Sequence, residues 1–207
     1  MGKLTELDKV EEISFSSTKL DSLHFTPGIW LNGNCHWLHD VREKVMYSEK
    51  MTVKVVLERI HSKIWYYRLF VSNHSTEPKD MKVLAAHYHP NLLEKQFSFA
   101  SPTDRNVYHL INEDVYMVNA RCNGKPANEY TIQPFWNLIS NQIWNCEHLG
   151  SLKYQPMVKG PATSILALDT TIGARETVQI QSWVIHGKSR QEVGLLNHVL
   201  LNKQLKR

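Results

Sequence analysis

The sequence predicts a mainly β fold, a large antiparallel β-sandwich carrying a C-terminal helix, on three observations. Apolar and β-branched residues alternate with a period of two along several segments between Met51 and Ile185. Clusters of Gly, Pro, Asn and Asp break those segments at short intervals, as turns between strands do. A sustained helical spacing of apolar residues comes only at the end, after Ser189.

The first clear strand starts at Met51, where Val53, Val55 and Leu57 alternate with Lys54, Val56 and Glu58 up to a polar break at His61 and Ser62. Beyond it, Trp65, Tyr67, Leu69 and Val71 form one row and Ile64, Tyr66, Arg68 and Phe70 the other. Both rows are largely apolar or aromatic, which predicts a central strand covered on both faces. Asn73 to Asp80 concentrates turn formers around Pro78, and Met81 to His89 resumes the extended pattern, so a hairpin or a crossing between sheets separates the two. Further strands are expected at Ile13 to Phe15, Ile29 to Leu31, Val107 to Ile111, Val115 to Val118, Ser164 to Leu168 and Thr177 to Ile185.

Two segments depart from this rhythm. Phe135 to Cys146 places apolar residues three and four apart, a spacing open to a short helix packed on a sheet. Ser189-Arg190-Gln191-Glu192 is a capping box, and Val193, Leu196, Val199 and Leu200 make one stripe, which predicts a helix from Arg190 to about Leu205 lying across one sheet or one open edge. The cations Lys203, Lys206 and Arg207 suit the negative end of its dipole. No internal repeat is visible.

With 207 residues, 42% hydrophobic and 21% charged, the chain is expected to form one soluble domain over residues 1–207, with 1–12 as a loose N-terminal segment. Met1 to Glu12 contains no apolar core of a secretory leader, and the apolar run Ile64 to Val71 is too short for a membrane span and carries Arg68. Cys35, Cys122 and Cys146 are odd in number, which favours a reducing, cytoplasmic setting and makes Asn73-His74-Ser75 an unmodified turn. A formal charge of only +4, with both signs interspersed, argues against nucleic acid as a partner. Neither a nucleophile elbow nor a glycine-rich phosphate loop occurs.

Histidine and tryptophan carry the remaining functional signals. His87 and His89 stand at i and i+2, on one face of a strand, and could share a divalent transition metal with a third ligand from His36, His39 or Asp40, or with His148. Otherwise no cofactor is expected. Asp40, Asp104, Glu113 and Asp114 are the candidate carboxylates for acid–base chemistry on a glycosidic bond. Trp65 and Trp183 fall in strands and are expected in the core. Trp30, Trp37, Trp136 and Trp144 lie in less regular segments and are the candidate ligand-binding aromatics.

Two stretches resemble known sandwiches. Tyr67 to Val83 is similar to the strand, Asn/Ser turn, strand passage of immunoglobulin-like modules. Ile172-Gly173-Ala174-Arg175-Glu176-Thr177-Val178-Gln179-Ile180 resembles the turn before a late strand in those modules and in the supersandwich domains of carbohydrate-active enzymes, which often have proline where Ile172 or Gly173 stands. The resemblance implies architecture and transfers no functional residue. The expected function is a non-catalytic binding or assembly module for a protein or carbohydrate ligand, with a homodimer through Val193, Leu196 and Leu200 as a further expectation. The alternative is a carbohydrate-active or metal-assisted enzyme built on the histidines.

Overall fold

The computed structural model describes residues 22–204. The strand expected at Ile13 to Phe15, the segment 1–12 and the side chains of the basic tail lie outside the described residues. The chain begins with β1 (His24–Leu31), β2 (Asn34–Trp37), β3 (Glu43–Met46), β4 (Met51–His61), β5 (Ile64–Asn73) and β6 (Lys79–Tyr88). It continues through β7 (Gln96–Ala100), β8 (Val107–Ile111), β9 (Asp114–Cys122), β10 (Lys125–Pro126), β11 (Glu129–Pro134) and α1 (Phe135–Ile139). It ends with β12 (Trp144–Cys146), β13 (Ser151–Leu152), β14 (Met157–Lys159), β15 (Ala162–Ile172), β16 (Thr177–Gly187) and α2 (Arg190–Gln204).

Two antiparallel sheets carry nearly all of these strands. One is five-stranded in the order β11-β15-β6-β1-β2, and the other is nine-stranded, β14-β7-β8-β9-β16-β5-β4-β3 with β10 beside β9. They form the expected β-sandwich. The central place of β5 follows from its two apolar rows: it pairs with β4 on one side and β16 on the other, Val71 standing opposite both Val53 and Val178. Its inner row, Trp65, Tyr67, Leu69 and Val71, packs with Val55, Ile180 and Val184 of its own sheet against Val83, Ala85, Leu166 and Leu168 of the other. Burial of each such aliphatic side chain is worth about 1.5–3 kcal/mol.

The outer row of β5 needs a second cover. Ile64 and Tyr66 form a separate cluster with Met117, Trp183, Val193 and Leu200, so α2 lies on the outer face of the nine-stranded sheet. Trp183 is fully buried there and its Nε1 donates to Asn197 Oδ1 at 3.0 Å. The stripe Val193, Leu196 and Leu200 is therefore engaged by the chain's own sheet, and Leu195 and Val199 are the exposed apolar residues of the helix. Half of the capping box forms as expected, with the Glu192 amide donating to Ser189 Oγ at 3.2 Å. The carboxylate reaches one residue further back: Glu192 Oε2 accepts from the Lys188 amide at 2.8 Å, while Oε1 pairs with Lys63.

The five-stranded sheet is covered on its outer face by the segment after β11. Here the helix is shorter than Phe135 to Cys146, because Asn141 enters the left-handed region (φ 56°) and Ser140 Oγ turns back to the Trp136 carbonyl. The chain then forms the β12–β13 ribbon, and Leu138, Ile143, Trp144 and Leu152 cover Leu84, Ala86, Ile165 and Ala167.

Both stretches that resemble other sandwiches prove to be crossings between sheets, β5 to β6 and β15 to β16. Asn73 pins them together. Its buried Nδ2 donates to the carbonyls of Glu77 at 2.8 Å and Gly173 at 3.0 Å, and its Oδ1 accepts from the Ser75 amide and hydroxyl. A glycan on this nitrogen would break those bonds. No helix among the described residues is long and apolar enough to cross a membrane.

Candidate functional site at the sandwich mouth

Where β6 leaves its sheet, the inner face of the nine-stranded sheet opens into a cavity of about 450 Å³. Period-two side-chain direction supplies its floor. Arg59 of β4 stands opposite Trp65 of β5, and His186 of β16 stands opposite Tyr116 of β9, so four adjacent strands present four inward side chains. His89, Asn91 and Glu94 of the β6–β7 connection form one wall, and Asn112 of the β8–β9 turn with Asp114 at the start of β9 forms another.

The polar groups of the mouth are paired and oriented. Asp114 Oδ1 accepts from His186 Nε2 at 2.9 Å and from Lys188 Nζ at 2.8 Å. Burial pushes the Asp114 carboxyl up, but the hydrogen bonds from Lys188 and His186 outweigh it and hold the group below its ordinary value. The Tyr116 ring stacks on His186 with centroids 4.8 Å apart, and the Arg59 guanidinium lies 5.5 Å above the centre of the Trp65 ring. Glu94 is held at both oxygens, by Asn91 Nδ2 at 2.9 Å and Asn112 Nδ2 at 2.5 Å. His89 Nδ1 meets the Asn91 carbonyl at 3.0 Å. The result is a set of planar amide, carboxylate, guanidinium and imidazole groups around an aromatic floor, able to donate and accept hydrogen bonds in neighbouring pairs.

Behind the mouth the inter-sheet space is sealed. His109 of β8 bridges the sheets, with Nδ1 2.8 Å from Ser98 Oγ and Nε2 2.8 Å from Ser164 Oγ. His87 of β6 reaches the opposite sheet at Ser182 Oγ, 3.3 Å away. Burial pushes the His109 imidazole down to about 3, reinforced by His89, and drives His87 well below its ordinary value.

The expected site residues divide among three places. His89 enters the mouth and His87 the sealed centre. His36 is on the edge strand β2, and His39 and Asp40 follow it; Asp40 pairs with His24 Nε2 at 3.3 Å on the outer side of the sheet from which His87 points inward. Among the described residues no three of His, Cys, Asp and Glu gather as a group that could hold a metal ion. Of the tryptophans, Trp30, Trp37 and Trp144 pack in the layer on the five-stranded sheet, and Trp136 of α1 stands 63% exposed. Trp30 Nε1 donates to the Glu147 carbonyl at 2.7 Å and Trp144 Nε1 to Asn141 Oδ1 at 3.1 Å.

Of the residues that line the mouth, the sequence offers His89 as a metal ligand and Asp114 as a carboxylate for acid–base chemistry, and singles out none of Arg59, Glu94, Tyr116 and His186, with Trp65 expected in the core. Arg59 and Trp65 flank the polar break at His61 and Ser62, a signal that the strand end is reached there. Nothing local distinguishes Tyr116 or His186 from other strand residues.

No protein-family model matches the sequence, and no curated protein matches it. Among solved structures it is similar to a protein assigned as a kojibiose phosphorylase from the human microbiome, with 12% identity and a TM-score of 0.47 over 90% of this chain and 26% of that one. It is also similar to a polysaccharide lyase, with 9% identity and a TM-score of 0.42 over 82% of this chain and 26% of that one. The chain thus spans about a quarter of either structure, and likenesses this distant carry no argument about what it binds.

Proposed function

We propose that the chain is a non-catalytic binding module whose ligand is a carbohydrate, taken up at the mouth of the sandwich. The observation that carries the reading is the convergence of Arg59, Asn91, Glu94, Asn112, Asp114 and His186 around one cavity with Trp65 and Tyr116 in its floor. Adjacent sugar hydroxyls offer donors and acceptors at the spacing that planar amide, carboxylate and guanidinium groups satisfy in pairs. The cavity volume, about 450 Å³, lies within the range of small-ligand clefts. A concave, polar mouth favours a sugar over a flat protein surface. Saturation-transfer NMR against a panel of hexoses, pentoses and uronic acids tests the proposal. Signal from at least one sugar, lost in Arg59→Ala and in His186→Ala, is the expected result, and silence across the panel refutes it.

The Asp114–His186 hydrogen bond inside the cavity favours a second reading, acid–base chemistry on the bound sugar, because a carboxylate orients an imidazole for proton transfer. Turnover of any sugar that binds, abolished in His186→Asn with binding retained, would replace the first reading by this one.

A further inference from the structure

We propose that the site continues over its rim into a second subsite, and that the carbohydrate it takes is an anionic oligosaccharide; this rests on the reading of the mouth as a sugar site. A second cavity, of about 500 Å³, adjoins the mouth and shares two of its wall residues, Glu94 and Asn112. A ligand that fills both is longer than one that fills the mouth.

The second cavity has a different chemistry. Sheet register sets Lys159 of β14, Phe97 of β7 and Leu110 of β8 side by side on one face, and Lys95 stands just before β7. Two exposed ammonium groups therefore flank a phenyl ring that is itself 37% exposed. That ring is fixed from behind. Phe97 stacks on Phe99 with centroids 5.6 Å apart, Phe99 on Tyr108 at 5.4 Å, and Arg190 lies 4.7 Å over Tyr108. An aromatic face held in place at little entropic cost suits a sugar ring, and the lysines suit a carboxylate or sulfate on it. Glu94 at the junction keeps its negative charge while its oxygens accept from Asn91 and Asn112, so the acidic group of the ligand belongs beside Lys95 and Lys159 and not at the shared wall.

The test is a glycan array carrying neutral and acidic oligosaccharides, uronate and sulfated, from one to six sugars, with an acidic peptide of matched charge beside them. Binding is expected to rise with length and to favour the acidic series. Removing the paired lysines (K95A/K159A) should weaken acidic binding about three- to tenfold, the size expected of two exposed charge contacts, and flatten its salt dependence. Removing two exposed lysines elsewhere (K54A/K125A) should do neither. Binding confined to neutral or single sugars, equal losses in both double variants, or equal binding of the acidic peptide would overturn the proposal and leave the mouth as a sugar site. An array with no signal overturns both.

Discussion

His109 and His186 project from strands of the same sheet toward the same inter-sheet space, yet one is sealed and the other open. His109 is fully buried and both its nitrogens are taken by serines of opposite sheets, so it fastens the two layers. His186, with a quarter of its side chain exposed at the mouth, leans on Asp114 and the Tyr116 ring and faces a cavity. The contrast teaches that residue type and strand direction do not decide whether a polar side chain builds the fold or meets a ligand. The decision rests with the covering layer: desolvation makes an unpaired buried polar group costly, so His109 at the centre has a partner at each nitrogen, while the mouth stays open to a ligand.

The largest expected effect is that of pH on the sealed centre. His109 and His87 are held neutral in the fold, below their ordinary value of 6.5, so the unfolded chain takes up protons as the pH falls and the folded chain does not. Their contribution is present above pH 6.5 and is lost as the pH falls through it toward about 3, the value of His109. Each histidine should contribute a slope of up to about 1.4 kcal/mol per pH unit. Urea unfolding followed between about pH 7 and 5, above the range where carboxylates titrate, checks this; the slope should survive in His186→Ala, and a flat profile would erase the distinction between the two regions.

A direct break of the centre comes next. His109→Ala leaves a cavity and strips the Ser98 and Ser164 hydroxyls of a shared partner, for a loss of about 3 kcal/mol in denaturant unfolding. A smaller loss of about 1–3 kcal/mol is expected from Gly28→Ala, whose new Cβ would stand 2.7 Å from the Trp37 ring in the outer layer. The smallest effect on stability belongs to the mouth: Arg59→Ala should cost less than about 1 kcal/mol, because the guanidinium is exposed, while ligand binding is lost. A cost there equal to that of His109→Ala would make the mouth structural.

What the sequence by itself determined is the local order. Alternation along Ile64 to Val71 specified a strand with two covered faces, since neighbouring side chains on extended backbone point opposite ways. Ser189 and Glu192 likewise announced where α2 begins, because a cap depends on residues a few positions apart. Only the tertiary structure decided what lies over each face: that α2 covers Tyr66, that the segment after α1 packs in one layer with Trp30 and Trp37, and that His186 keeps an edge open to a cavity. Arg59, Glu94, Tyr116 and His186 meet through strand order in a sheet where β16 lies between β5 and β9. Such an order arises from long-range pairing and burial summed over the whole chain, and no local window of residues encodes it.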